Sequence, residues 1–324
     1  MMNRFFRGIG CIGFHDTLPD ELSIKMHAWM LLVQCRAQNV NASKRVGELY
    51  GCCSSERECV EEVIGLFLQG RFGKLLLHNV VTGTHRTTKG EDRMSTEERQ
   101  QLLELYKDLR VTDVRDGMDW VGMHGYGSVH HEIRPLFRTR AVGIARTARY
   151  LPYEGPVPRV TGDEYTEWVK WYYKEVCNDP WGQDIEEGDF ICLDVAGVDV
   201  GLLGSNNTLD FKLKGARGYL TNGGGIRDTD EVIMQGIPVW SKFISQGMDQ
   251  ARIRYYEKDT PIAIGGVAIY PGDVVVADGD GVVVVPRKLA FEVARYAHQE
   301  LRGDKEGRKK LYEKLGWELD DTVK

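Results

Sequence analysis

The stretch Asn222-Gly223-Gly224-Gly225-Ile226-Arg227-Asp228 concentrates the residue types that chemistry needs. Three consecutive glycines allow positive φ angles and let the backbone come close to a ligand. The guanidinium of Arg227 can grip carboxylate or enolate oxygens. The carboxylate of Asp228 is a hard oxygen ligand for a divalent cation. Together they suit a small anionic substrate held with a metal. An Arg-Asp dipeptide alone means little. Its weight comes from the glycines before it and the helix-like segment Thr229 to Gln235 after it.

A second stretch, Gly204-Ser205-Asn206-Asn207, lies just ahead of a short helix expected to begin near Thr208. Small polar residues there expose backbone N–H groups at a helix N-terminus, a cradle for a carboxylate or phosphate. The same residues also make an ordinary N-cap, so both readings stand.

Other clusters read more plainly. Asp278-Gly279-Asp280-Gly281 resembles part of a calcium loop but lacks the downstream glutamate, and a hairpin turn is the expectation. His130 and His131 sit in a loop near Arg134, as surface residues or at a subunit boundary. Asp113, Arg115, Asp116 and Asp119 look like the charged face of a helix. Asp194, at a strand end, is a candidate supporting acid. Trp168, Trp171, Tyr172 and Tyr173 are expected on a helix packed against a sheet or a neighbouring subunit rather than around a ligand.

The elements that position these residues follow from periodicity. The first hundred residues read mainly as helices: Leu22, Met26, Trp29, Met30 and Val33 recur at helical spacing. Ser55 with Glu58, and Ser95 with Glu98, make capping-box patterns. The second precedes Leu102, Leu105 and Leu109. Val81 to Arg93 is polar and Gly/Thr-rich, and the domain boundary is placed there. Beyond it, short β-branched strands alternate with helices and glycine turns, an α/β pattern. Gly188-Asp189 and Gly272-Asp273 each lead into a buried strand that ends at an acid, Asp194 and Asp278. Ala290, Val293, Ala294, Ala297 and Leu301 form one helical stripe, with Leu311, Tyr312 and Leu315 as expected anchors further on.

Composition narrows the function classes. A chain of 324 residues with 42% hydrophobic residues can bury a core. Its net charge of -6 argues against a general nucleic-acid or anionic-membrane surface. No apolar run reaches the roughly 18 residues of a membrane helix, and the start lacks a signal-peptide pattern. Seven cysteines without paired spacing fit free thiols in a reducing cytoplasm. A methyltransferase reading fails because the glycines come late and lead straight into Arg-Asp rather than into a ribose-binding acid.

Residues 108 to 318 resemble the RraA-like family. The resemblance is carried by VTDVRDGMDWVGM, RPLFRTRAVGIARTAR, GSNNTLDFKLKGARGYLTNGGGIRDTDEVIMQGIPVW, GGVAIYPGDVVVADGDGVVVVPRKLAFEVA and GRKKLYEKLG, in order. That family includes regulators of ribonuclease activity and metal-dependent 4-hydroxy-4-methyl-2-oxoglutarate aldolases. It implies an α/β domain with a swivelling β/β/α arrangement over 91–324, preceded by a helical extension over 1–90 that typical members lack. It implies trimers or hexamers with active sites between subunits. By resemblance, Asp228 coordinates Mg²⁺ or Mn²⁺, Arg227 holds the pyruvyl oxygens, and the N–H groups of Gly204, Ser205, Asn206 and Asn207 receive the substrate carboxylate. The implied activity is carbon–carbon cleavage of a small 2-oxo acid, by pyruvate-releasing aldol cleavage or oxaloacetate-type decarboxylation, with the cation stabilising an enolate. The alternative is a non-catalytic regulator that binds a ribonuclease or another protein. Two departures stand out. The family's upstream acid falls on Ser205 or Asn206 here, and Asn222 stands where the family often has Asp.

Overall fold

A computed structural model describes residues 94–324. The helices expected before them, the boundary between Val81 and Arg93, and Cys11, Cys35, Cys52, Cys53 and Cys59 lie outside the described residues.

The described part opens with α1 (Thr96–Tyr106) and α2 (Val111–Trp120). Ser95 caps α1, its hydroxyl accepting the Glu98 N–H at 3.1 Å. The Glu98 carboxylate turns instead to the Arg287 guanidinium, at 2.9 and 2.6 Å, so the capping box is only half made. In α2, Asp113 departs from the expected exposed charged face. It is buried, accepts the Arg110 N–H at 2.9 Å, and pairs with the Arg110 guanidinium.

An eight-stranded sheet follows. Its strands are β1 (Arg134–Pro135), β2 (Ala141–Pro152), β3 (Asp189–Asp194), β4 (Gly218–Thr221), β5 (Val239–Ser241), β6 (Ile253–Lys258), β9 (Val274–Asp278) and β10 (Gly281–Val285). The order is β1-β5-β4-β3-β2-β9-β10, with β6 pairing the far half of β2. β2 through β5 run parallel to one another, and β9, β10 and β6 run antiparallel to their neighbours. Helices α3 (Gly162–Glu175), α4 (Ser205–Leu213) and α5 (Thr229–Met234) occupy the connections. A separate hairpin, β7 (Ile262–Ile264) and β8 (Val267–Ile269), turns at Gly265 and Gly266, which have φ of +54° and +81°.

Strand alternation sorts the core. Ala145, Phe190, Cys192, Leu220, Trp240, Val275 and Val284 point to one side and cluster with Ile262, Ile264, Val267 and Ile269 of the hairpin. Trp240 from one end of the sheet and Val284 from the other share this cluster, so the sheet curls into a nearly closed barrel. Trp240 Nε1 donates to the Asp278 carbonyl at 3.0 Å and Arg134 to the Asp280 carbonyl at 3.1 Å across the seam. The opposite residues face outward into two layers. Ile144, Val274, Val276, Val283 and Val285 meet α1, α2 and the long C-terminal helix α6 (Ala290–Leu315). Ile191, Leu193, Tyr219 and Val239 meet Tyr172, Phe211 and Val232 of α3, α4 and α5.

The two Gly-Asp turns behave alike. Gly188 and Gly272 have φ of +90° and +92°, which only glycine adopts readily. Asp189 and Asp273 are both buried. Asp189 accepts the Glu186 N–H at 2.8 Å and meets the Arg99 and Arg146 guanidiniums. Asp273 accepts the Tyr270 and Arg287 N–H groups at 2.9 and 3.0 Å. The stripe from Ala290 to Leu301 is buried as expected. Leu311 and Leu315, expected as anchors, are 57% and 59% exposed and belong to none of the core clusters among the described residues. Tyr312 packs edge-on against Trp317. Trp168 and Tyr172 of the aromatic helix pack on the sheet layer. Asp278-Gly279-Asp280-Gly281 is the β9–β10 hairpin turn, closed by the Asp280 N–H on Asp278 Oδ1 at 2.8 Å.

Candidate active site

The Gly204 loop and the glycine turn meet beyond the carboxyl ends of β3 and β4, where ligands of parallel sheets gather. The contact is a short parallel bridge between Leu203 and Ile226. Leu203 N–H donates to the Gly225 carbonyl at 2.8 Å, and Arg227 N–H to the Leu203 carbonyl at 2.9 Å. The two sequence-predicted segments are therefore one structural unit.

The helix α4 starts at Ser205, three residues before the expected Thr208. Gly204 is its N-cap, and Asn207 closes the first turn: its Oδ1 accepts the Gly204 N–H at 2.6 Å and its Nδ2 donates to the Leu202 carbonyl at 3.0 Å. Asp228, in turn, is the N-cap of α5 with φ +54° and ψ +41°, a left-handed conformation that Asp tolerates better than most residues. Its Oδ2 accepts the Ser205 N–H at 3.3 Å. Of the loop's four amides, those of Gly204 and Ser205 are thus taken by the chain's own oxygens.

Arg227 and Asp228 stand side by side, with Arg227 Nε 3.7 Å from Asp228 Oδ1. Their side chains are 31% and 39% exposed, so they do not form a buried structural ion pair. The Arg227 stem passes so close to Gly201 that a Cβ added there would lie 2.7 Å from Arg227 Cδ. Gly201 N–H donates to the Gly247 carbonyl at 2.8 Å, which brings the segment after β5 against the arginine. In that segment Asp249 is buried, and burial pushes its carboxyl above the usual range. The Tyr173 hydroxyl, donating at 2.8 Å, and more weakly the Arg227 charge pull it back.

The glycine turn is braced from behind. Asn222 Oδ1 accepts the Val195 N–H at 3.0 Å and its Nδ2 donates to Asp194 Oδ1 at 2.6 Å. Asp194 therefore acts on the turn through Asn222. The Ser245 hydroxyl bonds Asp199, and its N–H donates to the Ile226 carbonyl at 3.0 Å. Gly224 leaves room for that serine. Sequence reading missed Gly201, Ser245 and Asp249. The glycine of Val-Gly-Leu-Leu-Gly ahead of the loop was the only local signal. His130 and His131 lie on the surface with ring centroids 4.1 Å apart and tilted by 36°, with His130 3.8 Å from Glu132, and they contribute nothing to this unit.

As a metal site the unit offers one carboxylate. No group of three His, Cys, Asp or Glu among the described residues could hold an ion. That donor set fits Mg²⁺ or Mn²⁺, which keep several waters and bind through one or two carboxylates plus substrate oxygens. Gly204 leaves the space that Asp228 Oδ2 occupies, since a Cβ there would lie 2.5 Å from it. No helix among the described residues is long and apolar enough to cross a membrane. Cys177 and Cys192 are free and buried, and burial raises both thiols.

The protein DlpA of Legionella pneumophila is 24% identical over 208 residues, which are 64% of this chain but 31% of DlpA, so the chain spans under a third of that relative. A Halalkalibacterium halodurans protein, provisionally named a 4-hydroxy-4-methyl-2-oxoglutarate aldolase, is 28% identical over 61% of this chain and 83% of its own length. The crystal structure of Streptomyces coelicolor RraAS2, described as an unusual member of the RNase ES inhibitor RraA protein family, superposes with a TM-score of 0.52. It is 25% identical and covers 67% of this chain and 98% of RraAS2. The family model described as RraA-like, Aldolase/RraA, matches residues 111–284, more than half of the 324. The chain belongs to the RraA-like family.

Proposed function

We propose that this protein is a divalent-metal-dependent carbon–carbon lyase acting on a small 2-oxo acid. The observation that carries the reading is the Arg227–Asp228 pair, solvent-accessible and held against the amino end of α4. The reaction is pyruvate-releasing aldol cleavage or the related loss of CO₂ from an oxaloacetate-type acid. When bound, Mg²⁺ or Mn²⁺ supplies Lewis acidity, with Asp228 as its protein ligand. Arg227 places a fixed positive charge on the 2-oxo acid oxygens, where negative charge grows as the bond breaks. The Asn206 and Asn207 amides, in the first turn of α4, receive the substrate carboxylate at the helix N-terminus. A nearby water takes the substrate hydroxyl proton, because Ser205 and Asn206 supply no carboxylate at the position of the family's upstream acid. The relative named for 4-hydroxy-4-methyl-2-oxoglutarate aldolase activity supports this class. A homo-oligomer, trimer or hexamer, working in the cytoplasm without nucleic acid completes the reading.

The missing acid favours a second reading, a regulator that binds a protein such as a ribonuclease; RraAS2 is described as belonging to an RNase ES inhibitor family. Purified protein assayed for pyruvate release with Mg²⁺ or Mn²⁺ separates the two. Activity abolished by EDTA and by Asp228→Ala supports the lyase. No activity on any 2-oxo acid tested, with capture of a ribonuclease, supports the regulator.

A further inference from the structure

The opposite ends of the parallel strands carry a second feature. An open pocket of about 480 Å³ lies at the amino ends of β2, β4 and β5, with Tyr219 and Pro238 in its wall. The charged residues of that wall are Lys107, Arg140, Lys212 and Arg217, and no acid lines it. In a chain of net charge -6, four converging cations are a strong local departure.

The fold explains how they converge. Lys107 is the C-cap of α1 and Lys212 lies in the last turn of α4, where helix C-termini favour cations. Arg140 immediately precedes β2, and Arg217 immediately precedes β4. Their partners are weak or uncharged. Arg140 makes no ion pair among the described residues; its guanidinium donates to the Leu109 carbonyl at 2.6 Å and the Tyr106 carbonyl at 3.4 Å. Although Arg140 is exposed as a residue, partial desolvation of its guanidinium lowers its pKa, and the charges of Asp108, Asp278 and Asp113 nearby offset part of that. Lys212 likewise has no ion pair among the described residues. Lys107 pairs with Glu104 and Arg217 with Glu187, both at the exposed rim, and such surface pairs yield easily to a multiply charged ligand.

We propose that this pocket binds a phosphate-bearing small molecule. Two arginine forks and two lysines supply more positive charge than one carboxylate needs, and they match a dianion with several acceptor oxygens. The volume lies within the roughly 300–1,000 Å³ of small-molecule sites, so the ligand is a diphosphate or phosphate ester rather than a bare ion. The site is distinct from the Arg227–Asp228 unit, because β4 separates them by ~13 Å of strand.

Isothermal titration of the full chain in metal-free, low-salt buffer tests this, with sodium pyrophosphate, inorganic phosphate and citrate in separate runs. Saturable binding is expected, tightest for pyrophosphate. Lys212→Gln combined with Arg217→Gln weakens it about tenfold or more, and Arg227→Lys leaves it unchanged. Both substituted side chains are exposed; a melting curve checks the fold, and Lys212→Gln alone gives an intermediate affinity. Absence of saturable binding, tighter binding of citrate, or loss of binding in the Arg227 variant rather than the double variant overturns the proposal.

Discussion

The carboxylate of Asp228 rests against the backbone of Gly204, in the space where any other residue would place its Cβ. The Ser205 N–H reaches the same oxygen at 3.3 Å. Gly204 itself has an extended backbone, φ -135° and ψ -178°, which alanine adopts without strain. Gly204→Ala therefore leaves folding almost untouched and displaces the carboxylate. A shift of this kind in a catalytic group costs about tenfold to a hundredfold in rate. Lyase kinetics beside a melting curve check the outcome. Unchanged activity would mean that the Asp228 position is not needed.

Asp228 carries a backbone burden as well as a chemical one. Its left-handed φ of +54° costs a branched or plain side chain roughly 1–2 kcal/mol, and Asn much less. Asp228→Asn is therefore expected to keep the wild-type melting temperature while losing metal-dependent activity about a hundredfold or more, because a neutral amide is a poor ligand for Mg²⁺. Asp228→Ala loses the activity too, and about 1 kcal/mol of stability with it. Equal stability of the two variants, measured by urea unfolding, would contradict the backbone half of this argument.

These local residues were legible because their chemistry is written side by side. Arg227 next to Asp228, and glycine at 204, declare themselves without knowledge of the fold. The β-branched runs Val274 to Ala277 and Val282 to Val285, with Asp280-Gly281 between them, declared the hairpin in the same way. What the sequence hid was long-range pairing. Asp113 has the composition of an exposed helix face, yet the Arg110 N–H draws it inward. Asp199 finds Ser245 across 46 positions, and Asp194 finds Asn222 across 28. Neither spacing has a local period. The start of α4 was misplaced because Asn207 looks like a loop residue until it is seen to close the turn around Gly204.

Asn222 offers a test of the departure from the family pattern. Its amide donates to Asp194 while its carbonyl accepts from Val195, and only an amide serves both. Asn222→Asp removes the donor and sets two carboxylates together near neutral pH. A destabilisation of about 1–3 kcal/mol is expected. It shrinks as pH falls, because protonating either carboxyl restores a donor and removes the repulsion. Chemical unfolding of both proteins at neutral and mildly acidic pH reads this directly. A penalty that stays constant with pH would rule out the Asp194 contact as its source.

Asp179 gives the chain a pH dependence of unusual sign. Its carboxyl accepts from the Tyr150 hydroxyl at 2.6 Å, and the same hydroxyl accepts from Trp181 Nε1 at 2.6 Å. Tyr150 and Trp181 are buried, and although Asp179 is partly exposed as a residue, its carboxyl sits inward with them. Burial pushes the carboxyl up to about 7; the Tyr150 bond pulls it down and the neighbouring Asp249 adds to the rise. In the folded protein Asp179 therefore holds its proton at pH values where the unfolded chain, with an ordinary carboxyl, has lost it. The unfolded state binds fewer protons over that window, so stability falls as pH rises from about 4 to 7 and is flat for this group above it. Asp179→Asn keeps the acceptor for Tyr150 and tolerates the left-handed φ of +44°. It is expected to remove this slope and to gain about 1–3 kcal/mol over wild type above neutrality, with no gain near pH 4. Unfolding free energies of the two proteins across that range decide the matter; parallel curves would show that Asp179 is ionised throughout.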